Sequence, residues 1–297
     1  MKLSYLTNLI LLAVVLALLW LVYKPDNNQH AQATLSSIAA DKVNEITIQW
    51  GKDPAMQLQK TASGWQIIKP FHARANDTRI NMVLDVLKAK IHSEYITKDA
   101  GMLSQFGFDK TSPTLTVDKQ QFIFGGTESI SGRRYVWHEG KISLIDEQVY
   151  PLLNTSADGF IDSRLFDQSE KIQQIKLPYI DKNKLQQDHW LTVSKKDGHW
   201  TSDASPELAT DKISSLIQSW KGAYAMQVSY LSDKALEKVS GIPVEIQLQA
   251  GQQTLALLVK LTEDGLLITN KAARLQYQFP TSLANQMFIN LHPPKTK

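Results

Sequence analysis

The strongest constraint on this 297-residue chain is internal repetition: six blocks occur twice, in the same order, at offsets of about 129 to 135 residues. Ile175 answers Ile46, and KKDGHW ending at Trp200 answers TASGW ending at Trp65. Lys212-Ile213 through Trp220 answers Arg79-Ile80 through Leu87, and Pro243 answers Pro113. Leu255–Val259 answers Phe122–Gly126, and Leu266–Thr269 answers Tyr135–His138. Chance does not keep six blocks collinear. The chain is therefore expected to hold two tandem copies of one domain, over residues 45–165 and 166–291.

Within a copy the pattern is strands, then a helix, then more strands. Ile46, Ile48 and Trp50 alternate along one run, Met56, Leu58 and Lys60 along a second, and Trp65, Ile67 and Lys69 along a third. Gly51-Lys52-Asp53-Pro54 and Ala62-Ser63-Gly64 supply turns between them. After Asn76-Asp77-Thr78, any of which can cap a helix, Ile80, Val83, Leu84, Leu87 and Ile91 recur every three or four residues. This spacing predicts an amphipathic helix of about four turns, with Asn81, Asp85, Lys88 and Lys90 on its wet face. Further strands are expected at Thr114–Val117, Gln121–Phe124, Arg134–His138 and Lys141–Leu144. The fold class that follows is α+β, each copy an antiparallel sheet with a helix packed on it, and Trp65 is expected to seal that helix against the sheet.

Ahead of the first copy, Tyr5 to Tyr23 reads YLTNLILLAVVLALLWLVY without a charge. Nineteen helical residues rise about 28 Å, close to a bilayer core, so residues 1–23 are expected to form an N-terminal transmembrane helix. Lipid bilayer contact would run through residues 5–23, with residues 24–44 a tether and residues 292–297 a frayed tail. A short leading tail before a large domain normally stays inside, which would put the body outside the cytoplasm.

The balance of charge excludes some functions. Net charge is +3, and the cations are 26 Lys against 6 Arg with no dense cluster. Nucleic-acid recognition leans on Arg and on concentrated positive stripes, so no nucleic-acid partner is expected. Cysteine is absent. That removes disulfides, thiolate nucleophiles and Cys-based metal sites.

Several motifs carry a further reading. The N-terminal apolar run, SGWQIIKP, ANDTRINMVLDVL, GRRYVW and the join DSRLF together resemble a bacterial family built from a repeated domain of unknown function (DUF4340). The resemblance covers residues 45–170 well and the second copy weakly. Anchored proteins of that family are often encoded beside subunits of ABC-type transporters related to gliding-motility exporters. The resemblance thus implies an accessory subunit at the bacterial inner membrane, single-pass, with its bulk in the periplasm. Its motifs are structural and bring no catalytic residues.

Candidate chemistry read from the residues is sparse. His30, His72, His92, His138, His189, His199 and His292 form no helical pair and no HExxH unit. Gly125 to Gly132 followed by Arg133-Arg134 offers an anion contact, yet a strand there feeds a strand rather than a helix N-terminus. Ser63, Ser131, Ser156 and Ser205 lie in turns without a nucleophile elbow. Asp158, Asp162 and Asp167 surround Arg164 in the join, where Arg164 is expected to pair with Asp162 or Asp158. No catalytic, cofactor-binding or metal-ligating set is assigned, and no cofactor is expected. The expected function is a non-catalytic accessory or scaffold subunit of an envelope complex. The alternative is an extracytoplasmic binding module for a glycan or lipid in the groove between the copies, and a hydrolase stands third.

Overall fold

The structure is a computed structural model that describes residues 2–23, 33–97, 99–167, 169–182, 184–204, 207–248 and 253–290. Strand alternation dominates it. In β1 (Glu45–Gln49), β2 (Met56–Thr61) and β3 (Gly64–Lys69), the alternate residues Ile46, Ile48, Met56, Leu58, Trp65 and Ile67 are buried. A two-residue strand, β4 (Ala73–Arg74), follows, and Asn76 then caps α2 (Asp77–Leu84) by accepting from the Arg79 N–H. The first half continues with β5 (Ile91–Ile96), α3 (Ala100–Gln105), β6 (Thr114–Val117), β7 (Gln120–Thr127), β8 (Arg134–His138), β9 (Lys141–Ile145) and α4 (Tyr150–Leu153). Its nine strands form one antiparallel sheet in the order β4-β3-β2-β1-β6-β7-β8-β9-β5.

The second half contains β10 (Ile172–Asp181), β11 (Lys184–Lys196), β12 (His199–Ser202), α5 (Thr210–Gly222), β13 (Gln227–Tyr230) and α6 (Asp233–Glu237). It ends with β14 (Ile242–Leu248), β15 (Gln253–Thr262), β16 (Gly265–Asn270), β17 (Leu275–Phe279) and α7 (Thr281–Met287). The second sheet has eight strands in the order β12-β11-β10-β14-β15-β16-β17-β13. Read strand for strand, this is the order of the first sheet without β4. Two hairpins, β8–β9 and β11–β12, turn on Glu139-Gly140 and Asp197-Gly198, each with two successive positive φ angles, the type I′ geometry that suits a twisted two-residue hairpin.

Helices pack against both sheets, α2 on the first and α5 and α7 on the second. On α5, Ile213, Leu216, Ile217 and Trp220 are buried, and Trp220 donates from Nε1 to the Met287 carbonyl at 2.6 Å on α7. On α2, Ile80, Val83 and Leu84 do the same work for the first sheet. One continuous hydrophobic cluster runs through both halves, from Leu35 to Phe288, and takes in the join residues Phe160, Ile161 and Phe166.

Four expectations need correction. The fold is mostly two antiparallel sheets, with the helices subordinate, rather than an α+β body behind a transmembrane helix. The N-terminal run does form a helix, α1 (Lys2–Tyr23), but among the described residues no helix is long and apolar enough to cross a membrane.

The helix at residues 77–91 is also shorter than its spacing predicts. It leaves the α form at Leu84, tightens to a 3-10 turn over Asp85–Lys88, and Ile91 opens β5 instead. Finally, residues 33–44 do not behave as a free tether. Leu35 and Val43 are buried, and the Leu35 N–H donates to the Ala89 carbonyl at 2.9 Å. Residues 24–32 and the tail 292–297 lie outside the described residues.

Candidate functional site

The part of the molecule where charge, burial and topology converge is the seam between the sheets. After the 3-10 turn Ala157–Phe160, the chain runs extended between the β4 edge of the first sheet and the approach to β13 in the second. On one side the Asn76 N–H donates to the Phe160 carbonyl at 2.7 Å and the Asp162 N–H to the Arg74 carbonyl at 2.9 Å. On the other side the Ala225 N–H donates to the Ser163 carbonyl at 2.9 Å, and Arg164 bridges Tyr224. The join is thus a bridging strand. Beside it, Phe71 of the first half stacks on Tyr230 of the second with ring centroids 4.3 Å apart.

The polar side chains of the join are locked into this geometry. The Asp162 side chain is 7% exposed and accepts from Arg164 Nε at 3.1 Å and Nη2 at 2.8 Å. Arg74 reaches the same carboxylate at 3.6 Å, donates to the Arg164 carbonyl, and approaches Asp167 at 4.0 Å. The Asp162 hydrogen bond raises the Arg164 pKa above its ordinary value, and hydrogen bonds from Ser169 hold Asp167 below the usual carboxylate range. Tyr277 lies within the field of Arg74 and Asp162, and burial pushes its phenol up to about 12. A cavity of about 580 Å³ opens over the cluster, lined by Trp65, Gln66, Arg74, Asp77, Asp162 and Arg164 among others. Two guanidiniums sharing one buried carboxylate make a fastening. Their hydrogen bonds are spent on tying the join to the β4 edge of the first sheet.

Of the two partners expected for Arg164, the structure selects Asp162. Asp158 instead accepts from the Tyr230 N–H, and burial raises its pKa. The residue that sequence reasoning missed is Arg74, 88 positions upstream of Asp162. A signal for it exists in composition: in a chain with 26 Lys, five of the 6 Arg stand where planar, multidentate pairing is used. Arg74, Arg133, Arg134, Arg164 and Arg274 all make ion pairs.

The other sequence candidates are dispersed. Arg133 pairs with Asp146 at 2.9 Å, while Arg134 pairs with Glu147, donates to the Gly125 carbonyl at 2.7 Å and lies 3.5 Å over the Tyr150 ring. The hairpin that offered an anion contact therefore has both cations already engaged. Arg133, Asp146 and Glu147 line a cavity of about 640 Å³ with Met82, Val86 and Leu152. His92 bonds Asp146, whose carboxylate is held low chiefly by that hydrogen bond. His138 stacks on Phe122 at 4.2 Å and its Nδ1 lies 2.8 Å from the Gln121 carbonyl.

His72, His189 and His199 are exposed, while His30 and His292 lie outside the described residues. Among the described residues no group of three His, Cys, Asp or Glu side chains has metal-binding geometry. Ser63 bonds Thr61 and Ser131 bonds Glu128, each within its own turn, and Ser205 lies outside the described residues.

Comparison with known families gives one match: the family described as Domain of unknown function (DUF4340) matches residues 65–238. The chain belongs to this family. The matched region of this DUF4340 protein starts at Trp65, takes in the whole join and ends at Lys238 beyond α6, so the family's unit spans the seam rather than one copy of the repeat. No curated protein and no solved structure matches the chain.

Proposed function

We propose that this DUF4340 protein is a non-catalytic accessory or scaffold subunit of a complex in the bacterial cell envelope, with subunits of an ABC-type transporter as its partners. The observation that carries the reading is the seam. Two sheets of one strand order are bridged edge to edge by a paired extended segment and fastened by a shared carboxylate, an arrangement suited to presenting a long, stiff β framework to another protein. The choice of a transporter rests on the family resemblance, and the envelope location rests on the same ground.

The test is co-purification. Full-length protein is isolated from gently solubilised membranes under conditions that preserve other complexes, and the bound proteins are identified. Recovery of transporter subunits in fixed proportion supports the role. Recovery of the protein alone sinks it and leaves a search for envelope ligands of the folded body.

A further inference from the structure

The two halves share a strand order, so the covered edge of one shows what the open edge of the other is shaped to take. Hairpin registers set the equivalence. In the first half Ile96 pairs with Lys141, which pairs with His138; in the second, Tyr230 pairs with Leu275, which pairs with Asn270. Ile96 is therefore the counterpart of Tyr230. Both strands also begin alike: the Ile91 N–H donates to the Ala33 carbonyl as the Ala225 N–H donates to the Ser163 carbonyl.

Beyond that start the edges differ. Tyr230 has its N–H taken by the Asp158 carboxylate and its ring covered by Phe71. Ile96 is 77% exposed, Tyr95 beside it is 43% exposed, and among the described residues no strand pairs with the outer side of Ser93–Ile96. The Thr97 N–H points inward to the Gly140 carbonyl, which leaves the Ile96 N–H pointing outward. An open edge with apolar side chains is a template for strand addition.

We infer that the outer edge of β5, from Ser93 to Ile96, binds an extended segment of a partner protein that supplies an acidic side chain to the Ile96 N–H and an aromatic ring to the Ile96 side chain. The chemistry is copied from what Asp158 and Phe71 do at Tyr230. One difference sets the character of the contact. Buried Val228 and Leu275 are replaced here by Glu94 and Lys141, paired at 3.0 Å, so the β5 edge stays wettable and the contact is one that forms and releases. The inference deepens the accessory-subunit reading and rests on it for the class of partner.

The probe is a fluorescent peptide of the chain's own join, residues 156–166 (SADGFIDSRLF), which carries the Asp158 acid and, in place of Phe71, the rings of Phe160 and Phe166, titrated into the purified full-length protein. Saturable binding is expected, weakened at least about tenfold by Ile96→Pro, which deletes one outward N–H at an edge position where proline is tolerated. Ile130→Asp, at the most exposed apolar side chain, is expected to leave binding unchanged. Failure of the peptide to bind overturns the inference, as does an equal loss with Ile130→Asp or undiminished binding by an Ile96→Pro protein of unaltered melting temperature. Self-association abolished by Ile96→Pro overturns it too, by giving the edge to a second copy. The titration reads the edge alone, whereas the co-purification reads the partner, so the two can fail separately.

Discussion

Asp162 is the residue on which most of the seam depends. Removing it leaves two guanidiniums, each about three-quarters buried, facing each other without their shared carboxylate. Breaking a buried pair costs roughly 3–5 kcal/mol, and the partial exposure of both arginines brings the expected loss for Asp162→Ala to about 2–4 kcal/mol, read from the urea midpoint. Asp162→Asn is expected to cost less, because the amide oxygen still accepts one guanidinium hydrogen bond.

Tyr277 gives a pH signature at the same place. Its folded pKa is raised, so its contribution is complete below the unfolded value of about 10 and is lost as pH rises toward about 12. Tyr277→Phe is therefore expected to move the onset of alkaline unfolding to higher pH, monitored by circular dichroism. Asp146 works in the opposite direction. Its folded pKa is depressed, chiefly by the His92 hydrogen bond, so its contribution is present above about pH 3.9 and is lost as pH falls through the folded value. Asp146→Asn should flatten the fall of melting temperature in that acid range; an unchanged acid profile would mean that the pair contributes nothing in solution.

At the scale of elements, legibility followed how local the deciding interaction is. The three strands β1 to β3 and the hairpin of β8 and β9 are readable because alternation and a Gly turn sit within a few residues. The overrun of α2 has a different cause. Ile91 satisfies a four-residue spacing from Leu87 and also starts a strand, and only the distant ladder to β9 and the pairing of residues 33–36 with 87–91 decide between them. Aligning Leu266 with Tyr135 is likewise one residue out: core-facing Val136 answers Ile268, and a slip of one turns every side chain to the wrong face. Arg164 with Asp162 was legible two residues apart, whereas Arg74 was not, because nothing local ties it to the join. The two helix-to-sheet tryptophans are the element-scale test. Trp65 is buried on β3 and Trp220 is fully buried on α5 with its indole N–H satisfied. Truncating a buried Trp costs about 3–5 kcal/mol, so Trp220→Ala is expected at the top of that range and Trp65→Ala below it, both seen as lowered melting temperatures.

At the scale of the molecule, the question is whether two halves with the same strand order unfold as one body. Separate domains joined by a polar linker open independently, because little apolar surface is shared across the junction. Here the join is itself buried at Phe160, Ile161 and Phe166, and the hydrophobic cluster is continuous from one sheet to the other. Opening either half therefore exposes part of the other. A single cooperative transition is expected, with tryptophan fluorescence and far-ultraviolet circular dichroism giving coincident urea curves. Loosening the seam should split it: in Asp162→Ala the tryptophans of the two halves, Trp65 and Trp220, would report different midpoints when each is read alone in a background with the remaining tryptophans replaced by Phe. Two transitions in the unsubstituted protein would show that the seam aligns the halves without coupling them, and a scaffold that must transmit a fixed geometry from one sheet to the other would then lack its physical basis.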